Sequence, residues 1–250
     1  MSTEPVFDTG DRYRIDRPTL AGILRDLRVP THDPGPGDLV PHIDLPTTDG
    51  RRFTNESITA GRRPVVLAFG SLTCPVTESA APGLLELHHR HGEAIRFVLV
   101  NVREAHPGQN MRQPQTSADK SRNAAALKAH HGFSFEVAVD DLDGTVHRAF
   151  GTRPSSAYLI DPSGVIVFRA HWSNSVVALE RAILDLIGGR APSRSTVGQT
   201  ARAMMRMPPT RMRRSRPLAR ELCGRVAPPV AALVALSRFR RRLAARSSRP

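Results

Sequence analysis

The sequence predicts an α/β fold in which a mixed central sheet carries helices on both faces, with an N-terminal β-hairpin and a basic C-terminal extension. Two continuously apolar runs, residues 64–69 and 95–102, are typical of strands buried on both faces of a sheet. Segments with helical periodicity follow each run, and this alternation favours parallel pairing. A closing strand pair around the turn Asp161-Pro162-Ser163-Gly164 adds antiparallel strands.

The first half of the fold begins with a predicted hairpin. A short strand over residues 42–45 and its return strand over 52–54 flank a turn signal at Thr48-Asp49-Gly50-Arg51. The buried strand 64–69 follows, and a helix is predicted over 75–91 from apolar residues spaced three and four apart.

The second half continues the alternation and then closes with the antiparallel pair. We predict the following elements in chain order: strand 95–102, helix 118–131, strand 137–139, helix 143–150, strands 157–160 and 165–170, and helix 176–187. Gly188-Gly189 ends the last helix.

The charge distribution divides the chain into three parts. Residues 191–250 carry 15 Arg, no Lys and one acidic residue, whereas the other 190 residues carry 21 basic and 22 acidic groups. We therefore expect a loose N-terminal extension over 1–34 with one candidate helix at 19–28, a single domain over 35–190, and an Arg-rich, partly disordered tail over 191–250. Residues 230–246 of the tail are expected to form a short basic amphipathic helix.

The tail suggests partners, and the rest of the composition suggests a compartment. Clustered arginines favour contact with an anionic membrane surface or nucleic acid, with a solvated extension as the alternative. The polar N-terminus lacks the apolar core of a secretion signal, and two cysteines are too few for a disulfide framework. The expectation is a cytoplasmic protein, with the tail as a candidate peripheral membrane contact.

Cys74 is the strongest candidate for a chemical site. It follows the strand 64–69 at the start of the helix 75–91, where Pro75 suits the first helical position. Backbone N–H groups and the helix dipole at this point would stabilise a thiolate and lower the pKa of Cys74. A buried core cysteine is the alternative. Thr77 stands where a Cys-x-x-Cys motif would have its second cysteine, so the site has one local thiol.

The segments that flank Cys74 resemble a known family. The stretch PVVLAFGSLTCP, followed about 30 residues later by FVLVNVREAHPG, resembles the iodothyronine deiodinases, a family with a thioredoxin-like fold. That family has a strand, then Gly-Ser-Cys-Thr-selenocysteine-Pro, then a second strand ending in Glu-Ala-His-Pro. The resemblance covers roughly residues 37–189.

The resemblance implies a role for several side chains. Cys74 stands at the selenocysteine position, Ser71 and Thr73 match the family's polar residues, and His106 matches the histidine expected to transfer protons. Leu72 replaces the family's neighbouring cysteine. The activity implied is reduction of a soft electrophile by Cys74, with an external thiol or reductant protein as partner and no cofactor.

Other family positions are matched less completely. Thr116 stands where the family has a second histidine, whereas Arg122, a candidate substrate-binding residue, matches. Glu104 is a second candidate for substrate binding. If the strand runs that far, strand alternation would decide the face of the sheet to which Glu104 points, and a solvated charge is the alternative.

Two alternative functions stay open. Cys74-Pro75-Val76-Thr77-Glu78 resembles the peroxidatic motif of peroxiredoxins, but Ser155 occupies the position where that family places an arginine. One-cysteine peroxidase activity is therefore the first alternative. The second alternative is a non-enzymatic domain that acts as a scaffold for the basic tail.

Two further features are expected to have no role in the chemistry. The histidines at 88, 89, 91, 130 and 131 are not expected to bind a metal, because adjacent histidines on a helix point in different directions and lack i, i+4 partners with acidic help. Cys223 is expected to be a free thiol of the tail, and whether it resolves an oxidised Cys74 stays open.

Overall fold

A computed structural model describes residues 32–105, 111–151, 155–196 and 199. Several sequence predictions lie outside these residues. They are the candidate helix 19–28, His106, the amphipathic helix 230–246 and Cys223.

A five-stranded mixed sheet forms the centre of the fold, with spatial order β5-β4-β3-β6-β7. Its strands are β3 (Val65–Gly70), β4 (Arg96–Asn101), β5 (Glu136–Val139), β6 (Ala157–Ile160) and β7 (Ile166–Ala170). β4 runs parallel to both β3 and β5, whereas β6 is antiparallel to both β3 and β7. The predicted parallel core with an antiparallel closing pair is confirmed.

A separate two-stranded hairpin and five helices complete the described fold. The hairpin pairs β1 (Asp44–Pro46) with β2 (Arg52–Thr54). The helices are α1 (Asn55–Ala60), α2 (Pro75–His91), α3 (Ser117–His131), α4 (Thr145–Ala149) and α5 (Val176–Ile187). Helix α1 was missed by the sequence patterns, and the remaining predicted elements have shifted by at most a few residues.

Two apolar layers cover the two faces of the sheet. One layer joins β4 residues such as Leu99 to α2, α3 and α5, and the other joins residues such as Val100 to the hairpin, α1 and α4. Consecutive strand residues point to opposite faces, which is why Leu99 and Val100 lie in different layers. Helices on both faces of a mixed sheet are therefore confirmed.

Local signals explain where α3 begins and ends. The Thr116 hydroxyl accepts a hydrogen bond from the Asp119 N–H, and the Asp119 carboxylate accepts one from the Thr116 N–H. The helix ends at Gly132, whose φ of 67° lies in the left-handed region that glycine adopts at little cost. Within residues 32–105, 111–151 and 155–196, no helix has the length and apolar character that crossing a bilayer requires.

Candidate functional site

Cys74 lies at the carboxyl edge of the sheet, where β3 passes into α2. The strand ends at Gly70, and a turn closed by the Cys74 N–H and the Ser71 carbonyl leads to the helix. Cys74 is the N-cap residue, with φ −86° and ψ 118°, and Pro75 occupies the first turn. The predicted strand–loop–cysteine–helix arrangement is what the structure has.

The thiol of Cys74 is buried in an apolar cluster. Cys74 is 3% exposed and packs with Val76, Ala105 and Trp172. Burial raises the pKa of Cys74, while hydrogen bonds from Thr77, from the Val76 N–H and from the Ser155 hydroxyl act in the opposite direction. The predicted lowering of this pKa is therefore wrong, because desolvation of the thiolate outweighs the donors around it.

Thr77 is a site residue that the sequence patterns did not identify. It is 1% exposed, its hydroxyl oxygen accepts a hydrogen bond from the Ser71 N–H at 3.2 Å, and both its hydroxyl and its N–H favour the Cys74 thiolate. A Cβ at Gly70 would come 2.6 Å from the Thr77 hydroxyl oxygen, so this close contact requires a glycine. Helical spacing is the signal that could have found Thr77, since it lies three residues after the N-cap.

Ser71 and Thr73 are both buried, and their hydroxyls hold the loop that carries Cys74. The Ser71 Oγ accepts a hydrogen bond from the Ala105 N–H at 3.1 Å, which joins the ends of two neighbouring strands. The Thr73 hydroxyl and its N–H both donate to Oε2 of Glu104, at 2.8 and 2.9 Å. The hydroxyls of Thr77 and Ser155 favour the Cys74 thiolate.

Glu104 does not behave as a strand residue with a solvated charge. β4 ends at Asn101, and the Glu104 side chain is fully buried against Thr73, with Asn123 donating to its other oxygen at 3.2 Å. The solvated-charge alternative is therefore wrong. Burial raises the pKa of Glu104, whereas the hydrogen bonds from Thr73 and the nearby Lys120 lower it.

Further polar groups lie beneath α3 at the same edge of the sheet. The Lys120 ammonium donates to the Asn101 carbonyl at 3.2 Å, and burial lowers its pKa to about 8 despite the attraction of Asp140 and Glu104. The side-chain amide of Asn101 is fully buried and has no hydrogen-bond partner among the described residues. Charged and polar groups are thus concentrated where the parallel strands end.

The remaining two predicted site residues are His106 and Arg122, and the structure describes only Arg122. His106 lies outside the described residues, so its place beside Cys74 stays a prediction. Its chain neighbour Ala105 belongs to the apolar cluster around Cys74. Arg122 is exposed, and its guanidinium pairs with Asp119 one turn earlier on α3.

A group of possible metal ligands lies between α2 and α3. Glu78, His130 and His131 each place one ligand atom within 4.8 Å of the others. His130 and His131 therefore have an acidic neighbour after all, which comes from another helix and not from an i, i+4 position on their own.

Comparison with known proteins places the chain in a family. Residues 36–169, more than half of the chain, match the sequence profile of the AhpC/TSA family. The chain belongs to the AhpC/TSA family. The match begins before the hairpin and ends in β7, so it includes Cys74, Thr77 and both strands that end at the site.

Two curated relatives of this AhpC/TSA member are deiodinases. The chain is 29% identical over 119 residues to the type II iodothyronine deiodinase of Rattus norvegicus, covering 42% of this chain and 45% of that protein. It is 26% identical over 149 residues to the thyroxine 5-deiodinase of Ovis aries, covering 55% and 49%. The chain thus spans about half the length of the curated relatives it matches.

Solved structures confirm the fold of this AhpC/TSA member. An uncharacterized conserved protein from Geobacillus kaustophilus superposes with a TM-score of 0.54 at 19% identity, covering 66% of this chain and 90% of that one. A hypothetical protein from Sinorhizobium meliloti superposes with a TM-score of 0.51 at 18% identity, covering 63% and 87%. The predicted thioredoxin-like α/β fold is confirmed, and so is the predicted resemblance of the sequence to the deiodinases.

Proposed function

We propose that the protein is a thiol-dependent oxidoreductase of deiodinase-like type, in which Cys74 attacks a soft electrophilic atom and an external thiol regenerates it. The observation that carries this proposal is the setting of Cys74 at a helix N-terminus, where four hydrogen-bond donors, two backbone N–H groups and two hydroxyls, favour its thiolate.

A buried thiol requires a base at the moment of reaction. Because burial raises the pKa of Cys74, most of the sulfur is protonated near neutral pH. We assign the removal of the thiol proton to His106, the residue to which the deiodinase resemblance gives proton transfer. Ala105, the residue before His106 in the sequence, packs in the cluster that contains Cys74.

The polar residues around the thiol then divide into two roles. Thr77 and Ser155 stabilise the thiolate, since their hydroxyls favour its charged form. Ser71 and Thr73 hold the loop, because their hydroxyls bond to Ala105 and to Glu104. These contacts fix Cys74 relative to the end of β4, from which the chain continues to His106.

With an aryl iodide as the electrophile, the reaction balances with two external thiols. The thiolate attacks iodine, the S–I bond forms as the C–I bond breaks, and the carbon takes the electron pair and the proton that His106 supplies. One external thiol displaces iodide to give a mixed disulfide, and a second thiol releases Cys74. The sum is reduction of the aryl iodide to the arene with oxidation of two thiols to a disulfide.

A second candidate is a one-cysteine peroxidase, which membership of the AhpC/TSA family favours. In that reaction the thiolate attacks a peroxide oxygen, the O–O bond breaks, and the products are a sulfenic acid and an alcohol or water. Two external thiols reduce the sulfenic acid, releasing water and a disulfide. Both candidates need the same nucleophile and differ in the electrophile.

Turnover with dithiothreitol as reductant tests both candidates. We expect the wild type to release iodide from iodinated phenols or to consume hydrogen peroxide, and Cys74→Ser to lose that activity. Cys223→Ser is the matched control and should keep it. Peroxide consumption without iodide release would select the peroxidase, and activity that survives in Cys74→Ser would refute both candidates.

A further inference from the structure

Glu78, His130 and His131 form a compact cluster on the side of the molecule where α2 and α3 meet. Glu78 lies in the first turn of α2, and the two histidines are the last residues of α3. The Glu78 Oε2 atom is 3.1 Å from Nε2 of His130 and 4.0 Å from Nε2 of His131. One carboxylate oxygen thus faces two imidazole nitrogens.

His131 has a buried nitrogen with no hydrogen-bond partner. Its side chain is 5% exposed, and its Nε2 atom makes no hydrogen bond to any described residue. The carboxylate oxygen at 4.0 Å is beyond hydrogen-bonding distance. A buried polar atom without a partner is destabilising, and a bound ligand would satisfy this nitrogen.

Packing holds the two rings in place. The ring of His131 lies 5.1 Å from the ring of Phe133 and 4.6 Å from the ring of His130, measured between centroids. His130 is more open, with a side chain 28% exposed. The cluster therefore has one fixed, buried nitrogen and one open side that faces solvent.

The distances suit a small divalent ion. Zinc lies about 2.0–2.2 Å from imidazole nitrogen and carboxylate oxygen, so tetrahedral ligands are about 3.3 Å apart. The observed separations of 3.1 and 4.0 Å lie on either side of that value. All three ligand atoms lie within 4.8 Å of one another, so closing the set around one ion would require only small movements of these side chains.

We propose that Glu78, His130 and His131 bind one divalent ion of the zinc type, with the fourth position open to solvent beside His130. Two imidazoles and one carboxylate favour zinc and its first-row neighbours over magnesium and calcium, which prefer oxygen ligands. The bound ion would join the first turn of α2, which also contains Thr77, to the end of α3.

The test measures zinc binding to the full-length, tag-free protein in a Cys74→Ser and Cys223→Ser background, which removes both thiols as ligands. Competition with a chromogenic chelator gives the affinity and the stoichiometry. We expect one zinc ion per chain and at least a tenfold loss of affinity in Glu78→Gln and in His130→Asn. The matched control is His89→Asn, an exposed histidine on α2 outside the cluster, which should bind zinc normally.

A second readout separates binding from damage to the fold. Excess zinc should raise the thermal midpoint of the parent protein and of His89→Asn, but not that of Glu78→Gln. Glutamine can still accept a hydrogen bond from His130, so this variant is expected to fold. Absence of zinc binding, or equal affinity in Glu78→Gln and His89→Asn, would overturn the proposal.

Discussion

Replacing Thr77 with valine tests how the described residues stabilise the Cys74 thiolate. Valine keeps the β-branched shape that fits against Gly70 but removes the hydroxyl. That hydroxyl does two things. It favours the charged form of Cys74, and its oxygen accepts a hydrogen bond from the Ser71 N–H at 3.2 Å.

The size of the effect on the pKa of Cys74 and on the free energy of unfolding follows from these two contacts. A hydrogen bond to a charged group contributes about 1.5–3 kcal/mol, and one pKa unit corresponds to about 1.4 kcal/mol. The variant should therefore raise the pKa of Cys74 by about 1–2 units, because the thiolate loses a donor. The unpaired Ser71 N–H should lower the free energy of unfolding by about 1–3 kcal/mol.

Alkylation by iodoacetamide as a function of pH measures the first effect, in a Cys223→Ser background. At a fixed pH below the pKa, Thr77→Val should react about 10–100-fold more slowly than its parent. Thr77→Ser is the matched control, since it keeps the hydroxyl and should react at nearly the parent rate. Equal reaction rates for the valine and serine variants would refute the assignment of Thr77.

Two further predictions concern buried charges. Burial raises the pKa of Glu104 above its ordinary 4.5, so the folded state binds the carboxyl proton more tightly than the unfolded state does. The stability that this protonation contributes is therefore lost as the pH rises from 4.5 through the pKa of the folded state. Glu104→Gln should therefore lose less stability than the wild type between pH 4.5 and 7 in urea unfolding, whereas the exposed control Glu86→Gln should follow the wild type. Arg169 forms a buried ion pair with Asp33 at 2.7 Å, so Arg169→Ala should lower the free energy of unfolding by about 3–5 kcal/mol. The exposed ion pair formed by Arg52 should contribute no more than about 1 kcal/mol to the free energy of unfolding. Similar losses of stability in Arg52→Ala and Arg169→Ala would contradict this difference between the two pairs.

The fold could be predicted because its central strands are continuous apolar runs. β3 and β4 are buried along almost their whole length, and such runs separated by helical periodicity have few other arrangements. Helix α1 was missed because its six residues bury a single side chain, Ile58, and so carry no periodicity. The signal that could have found α1 is its capping box between Thr54 and Ser57.

The site could be predicted only in part, because several of its contacts join distant segments. Cys74 was identified from its place after a strand and before a proline. The partner of Thr73 is Glu104, 31 residues later, and that contact depends on β4 ending at Asn101. Ser155 reaches the thiol because antiparallel pairing of β3 and β6 places the start of β6 beside the end of β3. Strand alternation alone could not give either contact.

The direction of the Cys74 pKa shows a second limit of the sequence. The local motif predicts donors around the sulfur, and the structure has them in Val76 and Thr77. The opposing effect comes from Ala105 and Trp172, which lie 31 and 98 residues later in the chain and exclude water from the thiol. Desolvation depends on such distant contacts, so a local motif could not predict which effect is larger.

The nucleophile itself can be tested most directly by trapping the oxidised sulfur. Reduced full-length protein is treated with less than one equivalent of hydrogen peroxide in the presence of dimedone, which labels sulfenic acids, and the label is located by peptide mass spectrometry. We expect Cys74 to carry the label while Cys223 stays reduced. Label on Cys223 with Cys74 unmodified, or no label on either thiol, would contradict the assignment of Cys74 as the reactive group.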